Sequence, residues 1–157
     1  SPEGKMALPV LVGDLLYSKF FSYLCRYNCL EFLVPLAEVI CYIHEGGAMR
    51  HRGCDWAYPR CLEVIDREAA LLLREACRTG ARVGGASAEG VEALGQYGFN
   101  LGRAWGLLQE KVAPQARQEF LLRAREQLEA LPPRLEREVL EALVGVVAGM
   151  ETEVAST

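Results

Sequence analysis

The sequence predicts an all-α fold of about six helices, and three observations carry that prediction. Apolar residues recur at three- and four-residue steps along nearly the whole chain. No stretch alternates apolar and polar residues as a half-buried strand does. Glycine and proline clusters cut the pattern into pieces of helix length. With 157 residues, 51% of them hydrophobic, the chain is one domain's worth and can bury a core without disulfides or metal. A single helical domain over 1–157 is expected, with a core over 8–112 and a helical pair over 114–150.

Taken in order, the first helix is expected from Leu8 to Tyr27, with Leu11, Leu15, Leu16, Phe20 and Tyr23 at helical steps. The second is expected from Leu30 to Ile43 or beyond, with Leu33, Leu36, Ala37, Ile40 and Cys41 on one side. Pro35 falls near its first turn, where a missing N–H costs little. Glu45-Gly46-Gly47 is expected to weaken it, and His51 to Pro59 reads as a connector. A third helix, Pro59 to Arg82, carries the stripe Leu62, Ile65, Ala69, Leu72, Leu73 and Ala76, and Gly84-Gly85 stops it.

Ser87 is a good N-cap for the fourth helix, and Glu89 and Glu92 suit its positive end. Its apolar residues are Val91, Leu94, Tyr97, Leu101, Trp105 and Leu108. Gly95, Gly98, Gly102 and Gly106 interrupt them, each costing about 1 kcal/mol against alanine. So many glycines imply that a neighbouring helix or a ligand approaches the backbone closely. Pro114 opens a fifth helix, to Leu131, and Pro132-Pro133 a sixth, to Met150. Both alternate Leu with Glu and Arg, as a packed surface pair would.

Charge excludes one class of partner. The net charge is -4, and no basic stripe of the kind that holds nucleic acid is present. Of the 21 acidic residues only Asp14, Asp55 and Asp66 are aspartates, too far apart for an aspartate cluster. Cys25, Cys29, Cys41, Cys61 and Cys77 lie in apolar, helix-like stretches, where a reduced cysteine acts as a small buried hydrophobe. The N-terminus lacks an apolar run after a basic start, so no secretory leader is expected, and Met6 is a candidate start. The longest uninterrupted apolar run, Ala142 to Met150, is nine residues, against the ~20 that span a bilayer, so no membrane span is expected. A cytoplasmic, reduced chain is the expectation.

Several segments together resemble the C-terminal half or slightly more of the trans-polyprenyl diphosphate synthases. Leu11-Val12-Gly13-Asp14-Leu15-Leu16 resembles the family's Gly-Asp-x-Leu helix start. Glu45-Gly46-Gly47-Ala48-Met49-Arg50 sits where the family has Glu-Gly-Glu-x-x-Gln. Tyr58 to Leu71 is similar to the helix that carries Lys-Thr-Ala-x-Leu, and Tyr97-Gly98-x-Asn100-Leu101-Gly102-x-Ala104-Trp105 to Tyr-Gly-x-x-Leu-Gly-x-Ala-Phe. The resemblance implies part of the isoprenoid-synthase helical bundle.

The departures fall on the polar positions. The family binds an allylic diphosphate through magnesium held by two Asp-rich motifs, a Lewis-acid chemistry of hard cations on oxygen ligands. The first motif would lie upstream of Gly13, where this chain has nothing like it. The second would fall on Gln109-Glu110-Lys111-Val112-Ala113, which keeps one carboxylate. The Lys-Thr pair is Arg67-Glu68, the helix Gln is Arg50, and the Gln after the aromatic Trp105 is Gly106. Packing positions are kept and catalytic ones changed, so no catalytic residue and no metal ligand is assigned. Small subunits of heteromeric synthases, such as heptaprenyl diphosphate synthase of menaquinone biosynthesis, also lack the motifs. They resemble this chain in Gly13-Asp14, an aromatic-rich helix, and Ile43-His44-Glu45.

The resemblance therefore implies a subunit inactive alone, without a cofactor of its own, whose catalytic partner would hold Mg²⁺. The alternatives are a helical structural or interaction protein with no isoprenoid role, and a fragment of a longer enzyme. Glu110 reads as a residual magnesium ligand or as a solvated helix-end carboxylate, the second favoured because such sites use more than one carboxylate. Arg50, Arg67, Arg78 and Arg82 could form a diphosphate patch, but 14 of the 17 basic residues are Arg, which dilutes that reading. His51-x-x-Cys54 with Cys61 lacks the second ligand pair of a zinc site, and His44 reads as a hydrogen-bonded surface residue. Phe20, Phe21, Tyr23 and Tyr27 read equally as core or as interface, to a catalytic synthase subunit or to a second copy, since missing helices would leave an apolar face.

Overall fold

In a computed structural model the chain is described over residues 2–53, 57–132 and 135–154. Among these residues it is all helical: α1 Pro2–Arg26, a 3₁₀ turn Leu30–Phe32, and α2 Leu33–His51. Then come α3 over 60–83, α4 Ala88–Glu110, α5 Pro114–Glu129 and α6 Leu135–Val154. The chain divides into two compact units, 1–37 and 38–157, with the boundary inside α2.

In the second unit α4 is the central helix, packed along α3 and α5, with α6 closing against α5. The Gly90 N–H donates to Ser87 Oγ at 3.2 Å, so Ser87 caps α4 as its sequence position predicts. The helical glycines are explained by α3. A Cβ at Gly102 would lie 2.6 Å from the Cα of Ala70, and one at Gly95 would lie 2.8 Å from Cγ of Arg78. At Gly98 it would strike the Leu73 carbonyl, and at Gly106 the side chain of Ile65. The core joins Cys61 and Ile65 of α3, Tyr97, Leu101, Ala104 and Leu107 of α4, Phe120, Leu121, Ala124 and Leu128 of α5, and Val144 and Val147 of α6. Helix α5 is thus a core element rather than half of a surface pair. Buried Tyr97 donates its hydroxyl to the Leu140 carbonyl at 2.9 Å, which ties α4 to α6.

Helix α3 departs from the sequence pattern in register. Its turn Asp66–Ala70 is a π turn between the α segments Arg60–Ile65 and Leu71–Val83. A π turn takes i→i+5 bonds and holds one residue more than the pattern allows. Before it the buried residues are Cys61, Val64 and Ile65; Ala70 ends it buried, and after it Glu75 and Ala81 are buried, with Cys77 half-buried. Leu72 and Ala76, assigned to the stripe, are exposed because the phase has moved by one residue. Likewise Leu107, not Leu108, is the fully buried leucine near the end of α4, and Trp105 is at the exposed limit.

Other expectations are corrected. Gly46-Gly47 does not weaken α2, which continues to His51. At Gly46 the reason is close packing: a Cβ there would meet Cγ of Glu68 at 2.7 Å and Cβ of Arg67 at 3.0 Å. On α2 only Val39 and Gly46 are buried, and Cys41 is exposed. Cys25 is exposed as well, so burial of the thiols holds for Cys61, in part for Cys77 and Cys29. In the first unit Leu24 is buried, while Leu11, Leu15, Leu16 and Tyr23 are exposed rather than forming a core stripe.

The expectation of no membrane-length segment rested on uninterrupted runs and does not hold for mean composition. Leu8–Arg26 and Leu30–His51 each reach a mean hydropathy of 1.2, long and apolar enough by length and composition to cross a bilayer. Asp14 and Lys19 break the apolar run of α1 without lowering its mean below that level. Pro133 and Cys54 lie outside the described residues.

Candidate functional site

The second unit gathers several of the polar residues singled out in the sequence into one knot. Arg50 lies in the last turn of α2, where the negative helix end favours a cation. Glu68 projects from the π turn of α3, and Glu110 is the last residue of α4. Arg50 Nε donates to both carboxylate oxygens of Glu68 at 3.1 Å, and its Nη2 lies 2.6 Å from Glu68 Oε2. The same Nη2 is 2.8 Å from Glu110 Oε1. Hydrogen bonding to Glu68, opposed by partial burial and reinforced by Glu110, holds the Arg50 guanidinium above its ordinary pKa.

Arg67, also in the π turn, is engaged by other carboxylates. Its Nη1 is 3.0 Å from Glu63 Oε1 and its Nε is 3.6 Å from Glu45 Oε2. Cys61 lies beside the knot, and its thiol is pushed up first by burial, then by the charge of Glu110, with Arg50 acting the other way. A third pair closes the π turn on its far side. Arg103 Nε donates to Asp66 Oδ1 and Nη2 to Oδ2, both at 2.7 Å, while the guanidinium sits 4.3 Å from the Phe99 centroid and 5.0 Å from that of Phe120.

Arg50, Arg67, Glu68 and Glu110 are therefore brought together, Arg50 bridging the two glutamates. Glu110 faces Arg50 rather than open solvent. Gly106 is filled by Ile65, Gly47 has open space around it, and Gln109 is exposed. Gly13 and Asp14 lie on α1 in the first unit, as do Phe20, Phe21 and Tyr23, and Tyr27 follows in the turn after it. There Phe20 and Phe21 meet edge to face at 5.2 Å, and Phe21, Tyr23 and Tyr27 are 47%, 51% and 67% exposed. His44 is exposed on α2. The sequence reading missed Glu45 and Glu63 as partners of Arg67; the four-residue spacing of Glu63 and Arg67 was the available clue.

Chemically, two guanidiniums face four carboxylates, Glu45, Glu63, Glu68 and Glu110. An anionic diphosphate needs a surplus of positive charge, which this arrangement lacks. The magnesium that the resemblance implies does not fit here either. Arg50 stands between the two carboxylates that could approach an ion, and no group of three acidic, His or Cys residues among the described residues could hold one.

The comparisons agree on one family for this helical fold. The polyprenyl synthetase family model matches residues 4–108. The chain belongs to that family. It is similar to the geranylgeranyl diphosphate synthase of Methanosarcina mazei, 28% identical over 127 residues, covering 74% of this chain and 38% of that protein. The geranylfarnesyl diphosphate synthase of Natronomonas pharaonis is 34% identical over 111 residues, 66% of this chain and 33% of its own length. A probable mitochondrial hexaprenyl pyrophosphate synthase of Neurospora crassa is 32% identical over 118 residues, 69% of this chain and 26% of its own. The chain thus spans between a quarter and two fifths of these relatives. No solved structure matches.

Proposed function

We propose that this chain is a partner-dependent, non-catalytic subunit of a trans-prenyl diphosphate synthase, of the heptaprenyl type that serves menaquinone synthesis. It pairs in the cytoplasm with a catalytic subunit that carries the magnesium, and it shapes that subunit's product tunnel. The observation that carries the reading is the Arg50 bridge from Glu68 to Glu110, which spends on itself the charges a metal–diphosphate site would need. The exposed apolar side chains from Leu8 to Tyr27 support a partner contact. Ten of them are large and each is more than a third exposed.

The test is an assay of the purified chain with Mg²⁺, isopentenyl diphosphate and farnesyl diphosphate, alone and with a catalytic subunit. No turnover alone, and a changed product length or yield in the mixture, is the expected result. Turnover by the chain alone overturns the proposal. A chain that alters no catalytic subunit is a structural protein instead.

A further inference from the structure

We infer that the C-terminal half of α2, residues 38–51, is a strap latched by Arg50, one that ionic strength loosens while the rest of the bundle stays folded. This half of the helix buries little: Val39 and Gly46 are its only buried residues, whereas α4 and α5 are buried along their length. Apolar burial that small stabilises an attachment weakly. The ion pairs that tie it down are Arg50 with Glu68 and Glu110, and Glu45 with Arg67. All of these lie within the second unit and at the last two turns of the helix.

The side chains of these pairs run from 24% exposed at Glu68 to 58% at Glu45, so solvent ions reach them. At about 1 M salt the screening length falls to ~3 Å, from ~10 Å at 0.1 M, and such pairs weaken. The buried core shared by α4 and α5 is apolar and depends far less on salt, with the Arg103–Phe120 contact beside it. The two parts of the unit should then open separately, as locally unstable elements do. The inference does not depend on whether the chain is catalytic.

Amide hydrogen exchange read by peptide tests it, on wild type in low and high salt and on Arg50→Gln. Exchange over 38–51 should rise several-fold in about 1 M salt. In Arg50→Gln it should rise about tenfold or more, as expected for loss of charge-assisted bonds. Exchange over 91–107 in α4 should stay constant and serves as the internal reference. Unchanged exchange over 38–51, or a rise of equal size in both segments, overturns the inference. Should Arg50→Gln fail to fold, the salt series on wild type decides it in the same way.

Discussion

Gly98 lies directly beneath the backbone carbonyl of Leu73, with the Cys77 sulfur on the same side. A side chain at this point of α4 would meet main chain, which cannot swing away as a rotamer can. The glycine costs about 1 kcal/mol in helix propensity, and the close seam between α3 and α4 offsets it. Gly98→Ala should therefore destabilise the fold by about 2–4 kcal/mol despite alanine's better helix propensity. Gly47→Ala, with nothing within 4 Å of the new carbon, should instead be neutral or slightly stabilising. Urea unfolding of the two variants measures the contrast.

The same seam shows what the sequence made legible and where its pattern misled. Helix number, the Ser87 cap and the close approach at the α4 glycines follow from residue types whose reasons are local, and each is found in place. The stripe on α3 follows a constant 3.6-residue period only as far as Ile65. From Ala70, the end of the π turn, the apolar inward positions become Ala70, Cys77 and Ala81, while Glu75 is buried as a charged residue. Apolar residues at both Leu72 and Leu73 fit either phase, so the sequence carried no mark of the shift. The knot was half legible. Arg50, Glu68 and Glu110 each stood out as altered, but that one guanidinium joins both carboxylates depends on three helices converging, which spacing along a chain does not encode.

Asp66 and Arg103 form the pair most worth separating by a double-mutant cycle. The contact is bidentate at 2.7 Å on both arms, about a fifth exposed at each side chain, and the guanidinium also lies over Phe99 and Phe120. Arg103→Ala should cost about 2–3 kcal/mol, from the charge-assisted bonds and the ring contacts together. Asp66→Asn should cost less, since the ring contacts survive. A coupling energy near zero between the two would show that packing alone holds Arg103.

The turn from α4 to α5 stores strain that a simple substitution should relieve. Lys111 has φ 55 and Ala113 φ 46, both in the left-handed region that disfavours residues with a Cβ. Lys111 follows the last residue of α4, where glycine is the common terminator. Lys111→Gly should stabilise by about 0.5–1 kcal/mol, the relief of strain exceeding the entropy that glycine adds to the unfolded chain. Thermal melting at fixed pH tests the sign.

Alkaline pH should loosen the same α3–α4 seam through Cys77. Burial raises its thiol pKa to about 11, and burial together with the neighbouring Cys77 raises the Tyr97 phenol as well. Between the ordinary thiol value of ~8.5 and about 11 the unfolded chain has released the proton and the native one has not. The native state then binds more protons, so stability falls as pH rises through that window. Cys77→Ala should flatten the slope between about pH 8.5 and 10, and an unchanged slope would assign it to other groups.

Phe21 separates a contact surface from a core, and the two readings of the aromatic helix give opposite results. In the single chain its side chain is 47% exposed, resting edge to face on Phe20. A charge there meets water, so Phe21→Asp should change the chain's own unfolding free energy by only about 0.5 kcal/mol. If α1 carries the proposed partner contact, the same substitution places an unpaired carboxylate in a buried interface, which costs several kcal/mol. Association should then weaken by about two orders of magnitude or more, since each 1.4 kcal/mol is roughly tenfold. Sedimentation of wild type and variant, alone and with a catalytic subunit, reads the association directly. Intact association together with a large loss of folding stability would place Phe21 in a core instead.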